Sequence, residues 1–157
     1  MRVYLDHNST TPMRLEVRER WLEVVAQDLG NPSSLHTSGR LARALLDEAR
    51  ERVAAALGAH EDEVFFTSGA TEANNLALFG ALEAAASDAG LVTTTVEHAS
   101  VLEPARELAR RGRTVTFVPV DAQGLPDPAA VAAAVSPRTA LVSVAAANNE
   151  TGALPDV

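Results

Sequence analysis

The chain has 157 residues, a length that suits a single domain. Its 46% hydrophobic content is too high for disorder, and its 4% aromatic content argues against an aromatic-rich β-sandwich, which leaves alanine- and leucine-rich helices packed on something flat. Thirteen basic against 21 acidic residues give a formal net charge of −8, which disfavours nucleic acid or an anionic membrane surface as a partner.

In chain order, residues 1–12 read as an extended N-terminal arm ending at Thr10-Thr11-Pro12. A first helix is expected over about 13–29, because Val17, Trp21, Val24, Val25 and Leu29 recur at helical spacing and Gly30-Asn31-Pro32 stops them. The polar loop Asn31-Pro32-Ser33-Ser34-Leu35-His36 leads to a second helix over about 38–57. Leu41, Leu45, Ala49, Val53 and Leu57 form its stripe, Glu48 and Arg52 pair on its wet side, and Gly58 takes the C-cap position.

The period then shortens. Val64-Phe65-Phe66-Thr67 is a β-type run, and Ser68-Gly69-Ala70-Thr71 turns into a helix ending near Ala86. Leu91–Val96 is a strand. Residues 100–111 are a helix with Arg110 and Arg111 at its negative end. Thr114–Val118 is a strand, 127–135 a short helix and Thr139–Val144 a strand. Strand–helix alternation of this kind specifies an α/β fold with a mainly parallel sheet and helices on its faces. At the end, Pro155-Asp156 has the composition of a helix start, so residues 13–157 are expected to be part of an interrupted domain with uncovered apolar surface. No run reaches the ~18 apolar residues of a membrane span. The segment Met1–Asp6 lacks the apolar stretch of a secretory signal, so the cytoplasm is the expected compartment.

Two absences bound the chemistry. With no cysteine there is no disulfide, thiolate zinc site or cysteine nucleophile. All 13 basic residues are arginine, so no side chain is available to form a Schiff base. His7, His36 and His60 show no metal-ligand spacing, and no metal site is expected.

Three polar segments stand out. Thr67-Ser68-Gly69-Ala70-Thr71-Glu72 lies between an expected strand and a helix, where free N–H groups and the positive dipole end suit an anion. It matches neither a Walker loop nor G-x-G-x-x-G, and the plain alternative is a helix capped by Ser68 or Thr71. His98 follows the next strand and is suited to stack on a flat ring or relay a proton. The alternative is a helix-start histidine satisfied locally. Asn148-Asn149-Glu150-Thr151-Gly152 follows the last strand and offers amides to a ligand oxygen, or simply turns the chain. In an open parallel sheet all three fall at the carboxyl edge of the strands, where ligands collect.

Four ordered segments resemble the pyridoxal-phosphate-dependent cysteine desulfurases, class V aminotransferases of fold type I: Tyr4–Pro12, Gly30–His36, Phe66–Asn75 and Asn148–Gly152, with Glu97-His98 suitably spaced between them. The resemblance implies the N-terminal part of the large cofactor-binding domain, a three-layer α/β/α unit that is incomplete here. It implies pyridoxal 5'-phosphate as cofactor, with Ala70 and Thr71 on the phosphate, His98 stacked on the pyridine ring and aiding proton transfer, and Asn149 on the phenolic oxygen. It implies conversion of L-cysteine to L-alanine, transfer of sulfur to an acceptor or iron–sulfur scaffold protein, and a homodimer. The family's Schiff-base lysine, pyridine-nitrogen aspartate, sulfur-accepting cysteine and substrate-binding arginine have no counterpart in this chain, which is expected to be inactive alone. A non-catalytic module that binds a partner, or a related class V enzyme such as selenocysteine lyase, is the alternative.

Overall fold

Tyr4 organises the start of the chain. Its hydroxyl reaches the carbonyls of Asp6 and Thr10, both at 2.9 Å, and its ring meets His7 edge-on. The expected extended arm is therefore folded back on itself, because backbone groups that no sheet pairs find partners locally. The computed structural model describes residues 3–156, so the first two residues of the arm and the last residue of the chain lie outside the described part. Two compact units form, one ending at Phe66 and the other beginning at Thr67.

In the first unit, α1 spans Leu15–Val25, shorter than the sequence pattern suggests. A tight turn from Gln27 N to Val24 O closes it, and Leu29 falls outside. Helix α2 spans Thr37–Leu57. His36 caps its start by accepting the Gly39 N–H, and Gly58 ends it in the left-handed conformation at φ 66°. Gly39 is needed for close approach, since a Cβ there would lie 2.4 Å from the Ser34 carbonyl oxygen. Glu48 and Arg52 pair as expected, but the Leu41–Leu57 stripe is largely uncovered; within α2 only Gly39 and Ala54 are buried. A 3₁₀ turn at Glu61–Glu63 is capped by His60. The expected strand at Val64–Thr67 does not form. The Val64 carbonyl instead accepts from Arg50 Nε, whose guanidinium lies over the Phe66 ring. β-propensity alone makes no strand without a neighbouring ladder.

The second unit holds α3 (Ala70–Ala84), β1 (Gly90–Thr94), α4 (Ala99–Arg110), β2 (Val115–Val118), α5 (Pro128–Ala134) and β3 (Thr139–Ser143). The three strands are parallel in the order β2-β1-β3. The chain moves outward one way from β1 to β2, then crosses back over to β3. Right-handed crossovers therefore put α4 and α5 on opposite faces of the sheet. The register agrees: Leu91 lies level with Val115 and Leu141 on the face covered by α3 and α4. Leu78, Leu82, Leu91, Val101, Ala105 and Leu108 form the core there. On the other face Val142 and Val144 line a hollow beside Val131 and Ala132 of α5. Central β1 is buried along its whole length, whereas edge strand β3 alternates and leaves Val142 exposed. This is an α/β fold with helices on both faces of a parallel sheet. Among the described residues no helix is long and apolar enough to cross a membrane.

Candidate functional site

Because the strands run parallel, the loops after β1 and β3 open at one sheet edge, and α3 starts there as well. These three segments surround a cleft of about 420 Å³ whose lining includes Ala70, Thr71, His98 and Asn149. All four residues singled out from the sequence thus meet in one place.

Ala70 and Thr71 are the first residues of α3, and no side chain caps that helix. Ser68 is drawn elsewhere: its hydroxyl and its N–H both donate to the Glu72 carboxylate, at 2.6 and 2.7 Å. Those two bonds, the hydroxyl first, hold the Glu72 pKa below its ordinary value. The cap that the sequence left open to Ser68 or Thr71 is therefore not made, and the first-turn N–H groups keep their capacity for an anion. A Cβ added at Gly69 would meet nothing within 4 Å, so the space before the turn is open. The turn is entered from irregular chain, not from a strand.

His98 is the N-cap of α4 and is exposed. Its Nδ1 accepts the Ser100 N–H at 3.1 Å and lies 2.8 Å from Ser100 Oγ, which in turn accepts from Asn74 Nδ2 at 2.8 Å. The local-cap role and the cleft-lining position coexist in this one ring.

The two asparagines divide their work. Asn148 Oδ1 accepts from the N–H groups of Glu150 and Thr151, and its Nδ2 donates to Val96 O, so it builds the turn. Asn149 is exposed and lines the cleft, with Nδ2 donating to Glu150 Oε1 at 3.2 Å.

Three further residues belong to the site: Glu97 and Asn74, which fall in the segments that carry the resemblance but have no assigned role there, and Ser100. Glu97 is buried, accepts from Thr94 Oγ1 and Ala145 N, and lines the cleft floor. An acidic residue just after an apolar strand was the available signal; nothing local marked Ser100 or Asn74. Among the described residues the cleft is lined by the start of α3, the hydroxyls of Thr71 and Ser100, the amides of Asn74 and Asn149, the His98 ring and the Glu97 carboxylate. Among the described residues no group of three or more His, Asp or Glu is placed to hold a metal ion.

The family model for aminotransferase class V matches residues 3–157. The chain is 43% identical over 156 residues to a cysteine desulfurase IscS of Dictyoglomus turgidum, covering 99% of this chain and 40% of that protein. It is 48% identical over 153 residues to a cysteine desulfurase of Cereibacter sphaeroides, covering 96% of this chain and 40% of that protein. Among solved structures, a NifS-like protein superposes with a TM-score of 0.92 at 39% identity, over 99% of this chain and 43% of the other. DndA from Streptomyces lividans superposes at 0.82 and 37% identity, over 99% and 44%. The chain thus spans about two-fifths of the length of these relatives. With the family model matched from residue 3 onward and the fold shared, the chain belongs to the class V aminotransferase family.

Proposed function

We propose that a complete protein containing this chain is a pyridoxal-phosphate-dependent cysteine desulfurase. It converts L-cysteine to L-alanine and passes the sulfur to an acceptor or iron–sulfur scaffold protein. It works as a homodimer in the cytoplasm, and this chain supplies one side of the cofactor site. The observation that carries the reading is the meeting of Ala70, Thr71, His98 and Asn149 on one cleft.

The residues fit the cofactor. An uncapped helix start with a threonine hydroxyl suits a phosphate. An exposed imidazole suits the face of a pyridine ring, and the amide of Asn149 suits a phenolic oxygen. The cleft volume lies within the ~300–1,000 Å³ usual for small-molecule sites. The bound cofactor supplies an electron sink for bond cleavage in the amino-acid substrate. Thr71 and the α3 N–H groups would hold the phosphate, and Asn149 would donate to the phenolic oxygen. His98 would lie against the pyridine ring and hold a proton at a ring nitrogen. No side chain here can do the work of the family's lysine or cysteine, so this chain releases no sulfide alone.

The test is sulfide release from L-cysteine and cofactor absorbance in the complete protein and in the 157-residue chain. The complete protein is expected to turn over, with His98→Ala slower by ~100- to 10,000-fold while cofactor stays bound. Cysteine-dependent sulfide release by the pure chain, or none by the complete protein under full cofactor loading, would overturn the reading.

A further inference from the structure

The hydrogen bonds around His98 decide which of its ring nitrogens carries the proton. The Ser100 N–H donates to Nδ1. A backbone N–H can only donate, so Nδ1 must present its lone pair. The Ser100 hydroxyl stands 2.8 Å from the same nitrogen. On its far side, Asn74 Nδ2 donates to that hydroxyl oxygen, which turns the hydroxyl hydrogen toward Nδ1. Every donor in the chain points the same way, from Asn74 through Ser100 to His98. Reversed polarity would place a hydrogen on Nδ1 facing the Ser100 N–H. It would leave that donor unpaired in a residue only 7% exposed, an arrangement folded proteins avoid.

Nδ1 is thereby committed to the protein, and Nε2 is the nitrogen left for a molecule in the cleft. We propose that Asn74 and Ser100 are positioning residues that hold neutral His98 as its Nε2–H tautomer. His98 then offers the bound molecule a hydrogen-bond donor, not a base. It polarises an acceptor atom, and the first removal of a proton falls to another group. The identity of the bound molecule rests on the function proposed above; the tautomer rests on the hydrogen bonds alone.

The experiment is long-range ¹H–¹⁵N correlation of the histidine rings in the ¹⁵N-labelled chain, at a pH where the imidazole is neutral. His98 is identified by its absence from the spectrum of His98→Gln. The expected pattern is an unprotonated Nδ1 shift and a protonated Nε2 shift. Ser100→Ala removes the hydroxyl donor. Asn74→Asp replaces the donor by an acceptor of the same shape, which competes for the Ser100 hydrogen. Both are expected to move the two nitrogen shifts toward each other, while Ser100→Thr keeps the wild-type pattern. A protonated Nδ1 in the wild-type chain overturns the proposal outright. Unchanged shifts in both Ser100→Ala and Asn74→Asp overturn the role given to those residues. Should Ser100→Ala fail to fold, the wild-type spectrum and the isosteric Asn74→Asp still decide. The expected tautomer in a complete protein that binds no cofactor would sink the functional reading and leave this one standing. The opposite tautomer with cofactor bound normally would do the reverse.

Discussion

Glu97 Oε1 accepts the backbone N–H of Ala145 at 2.9 Å, joining the loop after β1 to the segment after β3. The same oxygen accepts the Thr94 hydroxyl at 2.7 Å, so the buried carboxylate is held by two donors. Asn148 Nδ2 adds a parallel tie to Val96 O at 2.9 Å. His98 and Asn149 each stand one residue beyond a tied position, so these bonds set how far apart they lie across the cleft.

Removing that carboxylate takes the acceptor from the buried Thr94 hydroxyl and from the half-buried Ala145 N–H. Glu97→Ala is expected to destabilise the protein by ~2–3 kcal/mol, the scale of a lost hydrogen bond to a charged group. Glu97→Gln keeps an acceptor oxygen and is expected to cost less. Urea denaturation of both variants checks this; equal stability of Glu97→Ala and wild type would mean the clamp contributes nothing.

Thr71 tests the phosphate cradle. In the complete protein, Thr71→Ala is expected to weaken pyridoxal phosphate binding by roughly ten- to a hundredfold, through loss of a ~1.5–3 kcal/mol hydrogen bond to a charged group. Thr71→Ser is expected to retain most of the affinity. Cofactor titration followed by absorbance gives the answer. An unchanged affinity in Thr71→Ala would take the hydroxyl out of the site.

Glu72 carries a pH signature. Its pKa is lowered, first by the Ser68 hydroxyl and then by the Ser68 N–H. A depressed folded-state pKa contributes stability above the unfolded value, and that contribution is lost as pH falls through the folded value. The helix start is therefore expected to loosen on acidification from the ordinary glutamate range downward. Ser68→Ala should move the Glu72 titration back toward that range. Side-chain carboxyl shifts followed by NMR measure both; a Glu72 titration indifferent to Ser68→Ala contradicts the bond's role.

Thr93 is a defect that can be repaired. Its Oγ1 is buried in central β1 with no hydrogen-bond partner among the described residues. Thr93→Val keeps the shape and removes the unsatisfied hydroxyl, and is expected to stabilise the protein by ~1–2 kcal/mol. The shift of the urea midpoint reads it out, and a destabilised variant would show that the hydroxyl has a partner in solution.

The sequence by itself determined the elements whose signals are local. Gly58 needed only its own φ to end α2, and the apolar runs at Leu91, Val115 and Leu141 needed only a neighbour of the same kind to become strands. The segments after β1 and β3 could be placed at one sheet edge because strand–helix alternation makes a parallel sheet, whose strand ends share a side, whereas Thr67–Glu72 follows no strand and reaches that edge as the start of α3. Tertiary structure decided what depends on partners distant in the chain. Val64–Thr67 has strand composition but no ladder, so Arg50 takes its carbonyl. Ser68 reads as a cap, yet the Glu72 carboxylate takes its hydroxyl. Asn148 and Asn149 look equivalent until Val96, 52 residues earlier, takes the amide of one of them. Asn74 and Ser100, 26 residues apart, meet only because α3 packs beside α4, and that contact orients the ring of His98. A hydrogen bond depends on position to a few tenths of an ångström, and only the packed chain supplies positions that fine.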